Sequence, residues 1–145
     1  MAVLKSKREE SRMEAMNTAR LIALNTTKMC LKMPKRYTFF GATRASEVAR
    51  LVYEEIKMAN SIYSTNEDSL KNKLHHTEEA ICYIQALIGD LSLLEELLRS
   101  NPENYNKNGK SYNYEKDMVA LMDLISKEIK LLSGYRKYVK EQLNK

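Results

Sequence analysis

The segment 70–98, LKNKLHHTEEAICYIQALIGDLSLLEELL, carries the strongest periodic signal in the chain. Its apolar residues recur at intervals of three and four, which places them on one side of a helix. They are Leu70, Leu74, Ile81, Ile84, Leu87, Ile88, Leu91, Leu94, Leu97 and Leu98. A stripe this wide is typical of a helix packed inside a bundle. We therefore predict a helix over 67–100, which ends at the helix-stopping pair Asn101 and Pro102.

Three further helices are predicted over 6–31, 39–62 and 114–143. Pro34 ends the first of them, and Thr38 is a candidate N-cap of the second. The apolar stripe of the first helix is Met13, Met16, Ala19, Ala23, Thr27 and Cys30. That of the second is Ala45, Val48, Val52, Ile56, Ala59 and Tyr63. That of the last is Met118, Leu121, Met122, Ile125, Ile129, Leu132, Tyr135, Val139 and Leu143.

The connections between these helices favour a simple topology. Residues 60–66 form a short polar turn, and 101–113 form one longer polar connection. The chain has 145 residues with only 4 Gly and 2 Pro, which leaves few residues for the turns of a sheet. We predict one domain over 1–145, an all-α, antiparallel up-down-up-down four-helix bundle.

The net charge of +5 is distributed unevenly along the chain. Residues 1–50 carry +7, residues 51–100 carry −5 and residues 101–145 carry +3. Segregation of this kind can give a compact bundle one positive and one acidic face, and a positive face suits a polyanionic partner.

Three groups of basic residues are candidates for binding nucleic acid. They are Lys5, Lys7, Arg8 and Arg12; Lys28, Lys32, Lys35, Arg36 and Arg44; and Arg136, Lys137 and Lys140. Arg8 and Lys28 point about 200° apart on a straight helix, so no single basic stripe runs along the first helix. In an antiparallel bundle, the first and third groups would meet at one end. Three interpretations remain open for this charge: an ordinary solvated surface, a surface that binds phosphates, or a contact with an acidic protein.

Aromatic residues accompany the second basic group. Tyr37, Phe39 and Phe40 follow Lys35 and Arg36, and aromatics beside basic residues can stack on the bases of a single strand. For the two Phe residues we favour a structural role at the end of the core.

No catalytic, metal or cofactor site is predicted. A di-iron bundle needs Glu-x-x-His twice, whereas Asn72 and Lys73 precede His75 and His76 by three positions. Glu78 and Glu79 follow His75 by one turn, which indicates a solvated charge pair, with weak metal binding as the alternative. Cys82 lies two turns from His75, too far for a nucleophile and its base. We therefore predict a protein that is not an enzyme.

The remaining features indicate a cytoplasmic protein. The N-terminal residues lack the apolar run of a signal peptide, and no segment has the apolar length of a membrane span. Cys30 and Cys82 are expected to be buried, reduced thiols, with Cys82 in or beside the core.

The segment 31–63, LKMPKRYTFFGATRASEVARLVYEEIKMANSIY, resembles a known family. It is similar to small four-helix proteins that include the accessory variability determinant of diversity-generating retroelements and the proteins encoded in ribosomal-RNA intervening sequences. The matching residues are Pro34, Lys35, Arg36, Phe39, Gly41 and Arg44, with Ala59 and Asn60 where the second helix closes. Gly134, Tyr135 and Arg136 match the pattern of the family's last helix.

This resemblance implies a homopentamer that binds a reverse transcriptase and an RNA template or an RNA/DNA hybrid. The implied role is to support mutagenic retrohoming, the copying of a template repeat into a variable gene. The alternative function from the sequence is a four-helix module for protein–protein assembly, with no role in nucleic-acid binding.

Overall fold

The structure, a computed structural model, describes residues 5–63, 65–100, 106–107, 110–111 and 114–145. Side chains are described for 12–38, 41–63, 65–100 and 114–145. Four long α-helices make up most of this part of the chain: α1 (Lys5–Lys32), α2 (Thr43–Ser61), α3 (Glu67–Ser100) and α4 (Tyr114–Leu143). The predicted all-α class is confirmed.

Two short strands lie between α3 and α4. Strand β1 (Asn106–Lys107) pairs antiparallel with β2 (Lys110–Ser111). The rest of the polar connection predicted over 101–113 lies outside the described residues.

The bounds of α3 and α4 coincide with the predicted ranges, and those of α1 lie within one residue of them. The predicted start of α2 is wrong, because a 3₁₀ turn (Lys35–Tyr37) and a π-helical turn (Thr38–Ala42) precede the helix. Thr38 is therefore not the N-cap of α2, which begins at Thr43 without a side-chain cap.

Gly41 explains why the regular helix starts late. Its backbone dihedral angles are not helical, so it interrupts the helical conformation of the backbone just before α2. A Cβ atom at Gly41 would lie 2.9 Å from Leu94 Cδ2. The missing side chain therefore lets this turn pack closely against α3.

The buried residues of α3 and α4 follow spacings of three, four or seven along each helix. In α3 they are Lys73, Thr77, Ala80, Ile84, Leu87, Leu91, Leu94 and Leu98. In α4 they are Tyr114, Met118, Leu121, Ile125, Glu128, Leu132 and Val139. This spacing keeps one narrow side of each helix towards the core.

The predicted stripe of α1 is correct in part. Ala19 is buried, and Met16, Ala23 and Cys30 pack against the core, whereas Met13 is 69% exposed. The other buried residues in the described part of α1 each lie one position before a residue of the predicted stripe: Ala15, Thr18, Ile22, Thr26 and Met29. Apolar residues lie on most sides of α1, so their pattern did not select the buried side. In α2 the prediction holds from Ala45 to Ala59, but Tyr63 lies beyond the helix and is 85% exposed.

Each helix packs mainly against two others. α1 packs against α2 and α4, and α3 packs against α2 and α4. The hydroxyls of Thr27 and Ser46 lie 2.8 Å apart between α1 and α2, and Lys127 Nζ lies 2.8 Å from Glu14 Oε1 between α4 and α1. These contacts are compatible with antiparallel neighbours. None of the helices in the described part of the chain has both the length and the apolar composition that a membrane span requires.

Candidate nucleic-acid interface

The end of α4 lies beside the beginning of α1. Arg12 lines the same pocket as Gly134, Tyr135 and Tyr138. Burial raises the pKa of Tyr135 to about 12, and the nearby Arg12 opposes that effect. The structure therefore brings one residue of the first basic group next to the third group.

The α4 basic cluster, which we define as Arg136, Lys137 and Lys140, occupies this end of the molecule. Arg136 is half-buried and Lys137 is exposed, and neither forms an ion pair within the described part of the chain. Lys140 Nζ lies 4.0 Å from Glu78 Oε1, and its side chain stays 54% exposed. Among the described residues, two of the three positive charges therefore have no carboxylate partner.

The turn cluster, which we define as Lys28, Lys32, Lys35, Arg36 and Arg44, surrounds the connection from α1 to α2. All five side chains are exposed. Lys32 Nζ lies 3.2 Å from Asp117 Oδ2, and Arg44 Nε lies 3.9 Å from Asp90 Oδ2. Two of its charges are thus partly neutralised.

These two clusters lie far apart. From Arg12 to Lys32 the helix advances twenty residues, which is about 30 Å at the rise of an α-helix. One short nucleic-acid segment bound at the α4 basic cluster would therefore not reach the turn cluster. Lys5, Lys7 and Arg8 lie in α1, but their side chains are outside the described residues.

The aromatic residues of the turn offer little support for base stacking. Tyr37 is 4% exposed and belongs to the core, so its ring does not lie on the surface where a base could stack on it. The side chains of Phe39 and Phe40 lie outside the described residues. Tyr135 and Tyr138, which interleave with the α4 basic cluster, are both half-buried.

Lys73 is a buried cation that the sequence analysis missed. Its side chain is 5% exposed, and its ammonium donates a hydrogen bond of 3.1 Å to the Ile62 carbonyl at the end of α2. The same ammonium lies 5.7 Å from the centre of the Tyr135 ring. Burial lowers the pKa of Lys73, and the positive charge of Arg12 lowers it further.

Glu128 is a buried acid that the sequence analysis also missed. It is 0% exposed, and neither carboxyl oxygen has a hydrogen-bond partner among the described residues. Burial raises its pKa to about 8; the nearby Lys127 opposes this effect and Glu14 adds to it. The sequence did contain one indication that Glu128 is buried, because Ile125, Glu128 and Leu132 continue the three–four spacing of the buried side of α4.

The residues tested for catalysis are dispersed. His76 Nδ1 lies 2.6 Å from Glu55 Oε2 between α3 and α2, and His75 is exposed. Both cysteines are free thiols; Cys30 is half-buried, whereas Cys82 is exposed. The predicted burial of Cys82 is therefore wrong. Within the described residues, no three His, Cys, Asp or Glu side chains are grouped to hold a metal ion.

Comparisons with known proteins identified no relative of this chain. The chain matches no protein-family model, and no match is found among curated proteins or solved structures. The resemblance of the segment 31–63 to the retroelement accessory proteins consequently stays a sequence-based prediction.

Proposed function

We propose that this chain is a non-catalytic accessory protein that binds nucleic acid through its phosphates. In this proposal the fold is an antiparallel up-down-up-down four-helix bundle in the cytoplasm. The short connections 33–42 and 62–66 support antiparallel pairing of α1 with α2 and of α2 with α3.

One observation supports the binding surface above the others. Arg12, from the segment with the largest positive charge, lies beside Gly134 and Tyr138 at the end of α4. Arg136 and Lys137 add two charges at the same end, and neither has a carboxylate partner among the side chains that the structure describes. Clustered, solvated cations bind phosphates by releasing counterions, without reading bases.

The identity of the nucleic acid comes from the resemblance alone. It suggests an RNA template or an RNA/DNA hybrid, a reverse transcriptase as the protein partner, and a pentamer as the assembly. If so, a reverse-transcriptase gene and paired template and variable repeats lie next to the gene for this chain. A neighbourhood without them would count against the reverse-transcriptase partner.

The binding proposal is tested by two charge reversals of equal size. Arg136→Glu with Lys137→Glu changes the α4 basic cluster, and Lys28→Glu with Lys35→Glu changes the turn cluster. Affinity for labelled RNA is measured by fluorescence anisotropy from about 50 to 200 mM salt. We expect the first variant to lose about tenfold or more in affinity and to show a salt slope lower by about one to two.

The second variant is the matched control, and we expect it to lose much less affinity. Circular dichroism and urea unfolding establish that both variants fold. Equal losses of RNA affinity in the two variants would contradict the assignment of the binding site to the α4 basic cluster. If the folded wild-type protein binds no RNA even at the lowest salt, the proposed nucleic-acid function is refuted.

The alternative function, protein–protein assembly, is favoured by one surface. Met13, Leu24 and Leu31 are 69%, 41% and 70% exposed, and their spacing places them within about 20° of one line along α1. If RNA binding is absent and Leu24→Gln with Leu31→Gln abolishes self-association, assembly is the better assignment.

A further inference from the structure

One pocket lies where all four helices meet, near the end of α4. α1 contributes Arg12, α2 contributes Ile56 and Asn60, α3 contributes Thr77, and α4 contributes Leu132 and Tyr135. Its volume is about 180 Å³. An apolar cavity of roughly 150 Å³ is large enough to hold a benzene ring. The space therefore suits a single ring or a short alkyl chain.

Two polar side chains of this pocket can donate hydrogen bonds. The Asn60 Nδ2 atom is buried and has no hydrogen-bond partner among the described residues. The buried Tyr135 hydroxyl lies close enough to Arg12 to accept a hydrogen bond from it, so its own O–H is left to donate. A buried polar group without a partner is unusual in a native structure, because the lost hydration is not replaced. An acceptor from outside the chain would supply the missing bonds.

Two positive charges lie at or near the pocket. Among the side chains that the structure describes, Arg12 is the one charged group that lines it, and Lys73 Nζ lies 5.7 Å from the centre of the Tyr135 ring. Arg12 lowers the pKa of Lys73, so the two cations disfavour each other. A negative charge between them would offset this repulsion.

We propose that this interhelical pocket binds a small monocarboxylate. The ring or alkyl chain would lie against Ile56 and Leu132, and the carboxylate would accept hydrogen bonds from Arg12, Asn60 and Tyr135. Phosphate is disfavoured, because it lacks the apolar body that the walls require. This site shares Arg12 with the proposed RNA surface, but its readout, the Asn60 side-chain amide, is separate from RNA affinity.

The test begins with the wild-type chain labelled with ¹⁵N. Benzoate and hexanoate are titrated separately while NMR follows the Asn60 side-chain amide, with the backbone amide of Gly89, outside the pocket, as internal reference. We expect saturable shifts at Asn60 and none at Gly89. Benzyl alcohol, a ring of the same size without charge, should bind about tenfold more weakly, because it loses the charge-assisted hydrogen bonds.

Two glycines provide a matched pair of variants. Gly134 lines the pocket and Gly89 does not, and a Cβ atom added at either meets nothing within 4 Å. Both are exposed and lie inside helices. Gly134→Leu should weaken benzoate binding by about tenfold or more by filling the pocket, whereas Gly89→Leu should leave it unchanged.

Several results would overturn the proposal. They are the absence of saturable shifts with both carboxylates, equal affinity for benzyl alcohol, and equal shifts with inorganic phosphate. Unchanged binding in a folded Gly134→Leu would also overturn it. If that variant does not fold, the comparison of Asn60 with Gly89 in the wild-type chain still decides.

Discussion

Glu128 makes the stability of this protein depend on pH in an unusual direction. The pKa of its carboxyl group rises from 4.5 to about 8 on folding, because burial penalises the charged form. At a pH between these two pKa values, Glu128 has released its carboxyl proton in the unfolded chain but retains it in the folded chain. Stability from this group is therefore greatest below pH 4.5 and is lost as the pH rises towards 8, by about 1.4 kcal/mol per pH unit.

Replacing Glu128 with Gln should remove this dependence. We expect Glu128→Gln to be more stable than the wild type near pH 8, because the amide carries no ionisable proton. Urea unfolding at a series of pH values gives the free energy of unfolding of both proteins. Glu141→Gln, an exposed change in the same helix, is the control and should follow the wild-type curve. Parallel curves for wild type and Glu128→Gln would refute the assignment.

At single positions, the sequence predicted the burial of apolar residues better than the burial of polar ones. The buried polar residues of the described chain all continue the spacing of their helices: Thr18, Thr26, Lys73, Thr77 and Glu128. Sequence reasoning left them out because charged and hydroxyl side chains are mostly exposed. The structure keeps Lys73 inside by giving its ammonium the Ile62 carbonyl, a partner that depends on tertiary contact.

At the level of elements, a reciprocal cap fixes the start of α3. The Asn66 side-chain oxygen accepts a 2.9 Å hydrogen bond from the Ser69 amide, and the Ser69 hydroxyl accepts one of 3.1 Å from the Asn66 amide. Ser69 thus takes the place that Glu or Gln usually occupies in a capping box. Together, the Asn66 and Ser69 side chains accept hydrogen bonds from backbone amides that the first turn of a helix leaves unpaired.

Removing this cap should destabilise the whole protein. We expect Asn66→Ala to lower the free energy of unfolding by about 0.5–2 kcal/mol, because the Ser69 amide loses its acceptor. Asn66→Asp retains an acceptor and should stay close to wild type. Asn72→Ala, an exposed change inside α3, is the matched control and should be neutral or slightly stabilising. Chemical denaturation with urea measures all four proteins, and equal stability of Asn66→Ala and Asn72→Ala would contradict the capping role.

The helices could be predicted from the sequence more fully than the sides they bury. Apart from Leu93, which is 53% exposed, the Leu and Ile residues from Ile84 to Leu98 lie on one side of α3, so this half of its core was predictable. In α1 the Met and Leu residues lie on several sides, and the buried side is completed by Ala and Thr. Which side faces inward depends on the neighbouring helices, a property that the periodicity of one helix does not contain.

At the scale of the molecule, the charge pattern predicted part of the candidate site. The expectation that the first basic group meets the end of α4 agrees with the position of Arg12 beside Tyr135. The neutralisation of Lys32 by Asp117 was not predictable, because these residues are far apart in sequence and their contact follows from the packing of α1 on α4.

The proposed antiparallel arrangement can be tested with a cross-linker that adds no spacer. A carbodiimide joins a carboxylate to a lysine amine only where the two are in contact, and Lys32 Nζ lies 3.2 Å from Asp117 Oδ2. Antiparallel α1 and α4 therefore predict a cross-linked peptide between Lys32 and Asp117. Parallel helices would instead bring Lys32 near Glu141, which lies about 36 Å further along α4.

Mass spectrometry of the digested, cross-linked monomer distinguishes these outcomes. Lys32→Arg is the matched control, because it keeps the positive charge but removes the reactive amine, and we expect the Lys32–Asp117 product to disappear. The cross-link between Lys127 and Glu14, whose atoms lie 2.8 Å apart, should persist in that variant and show that it stays folded. A product joining Lys32 to Glu141 within one chain would contradict the antiparallel bundle. It would also separate Arg12 from the α4 basic cluster, so the proposed binding surface depends on the same result.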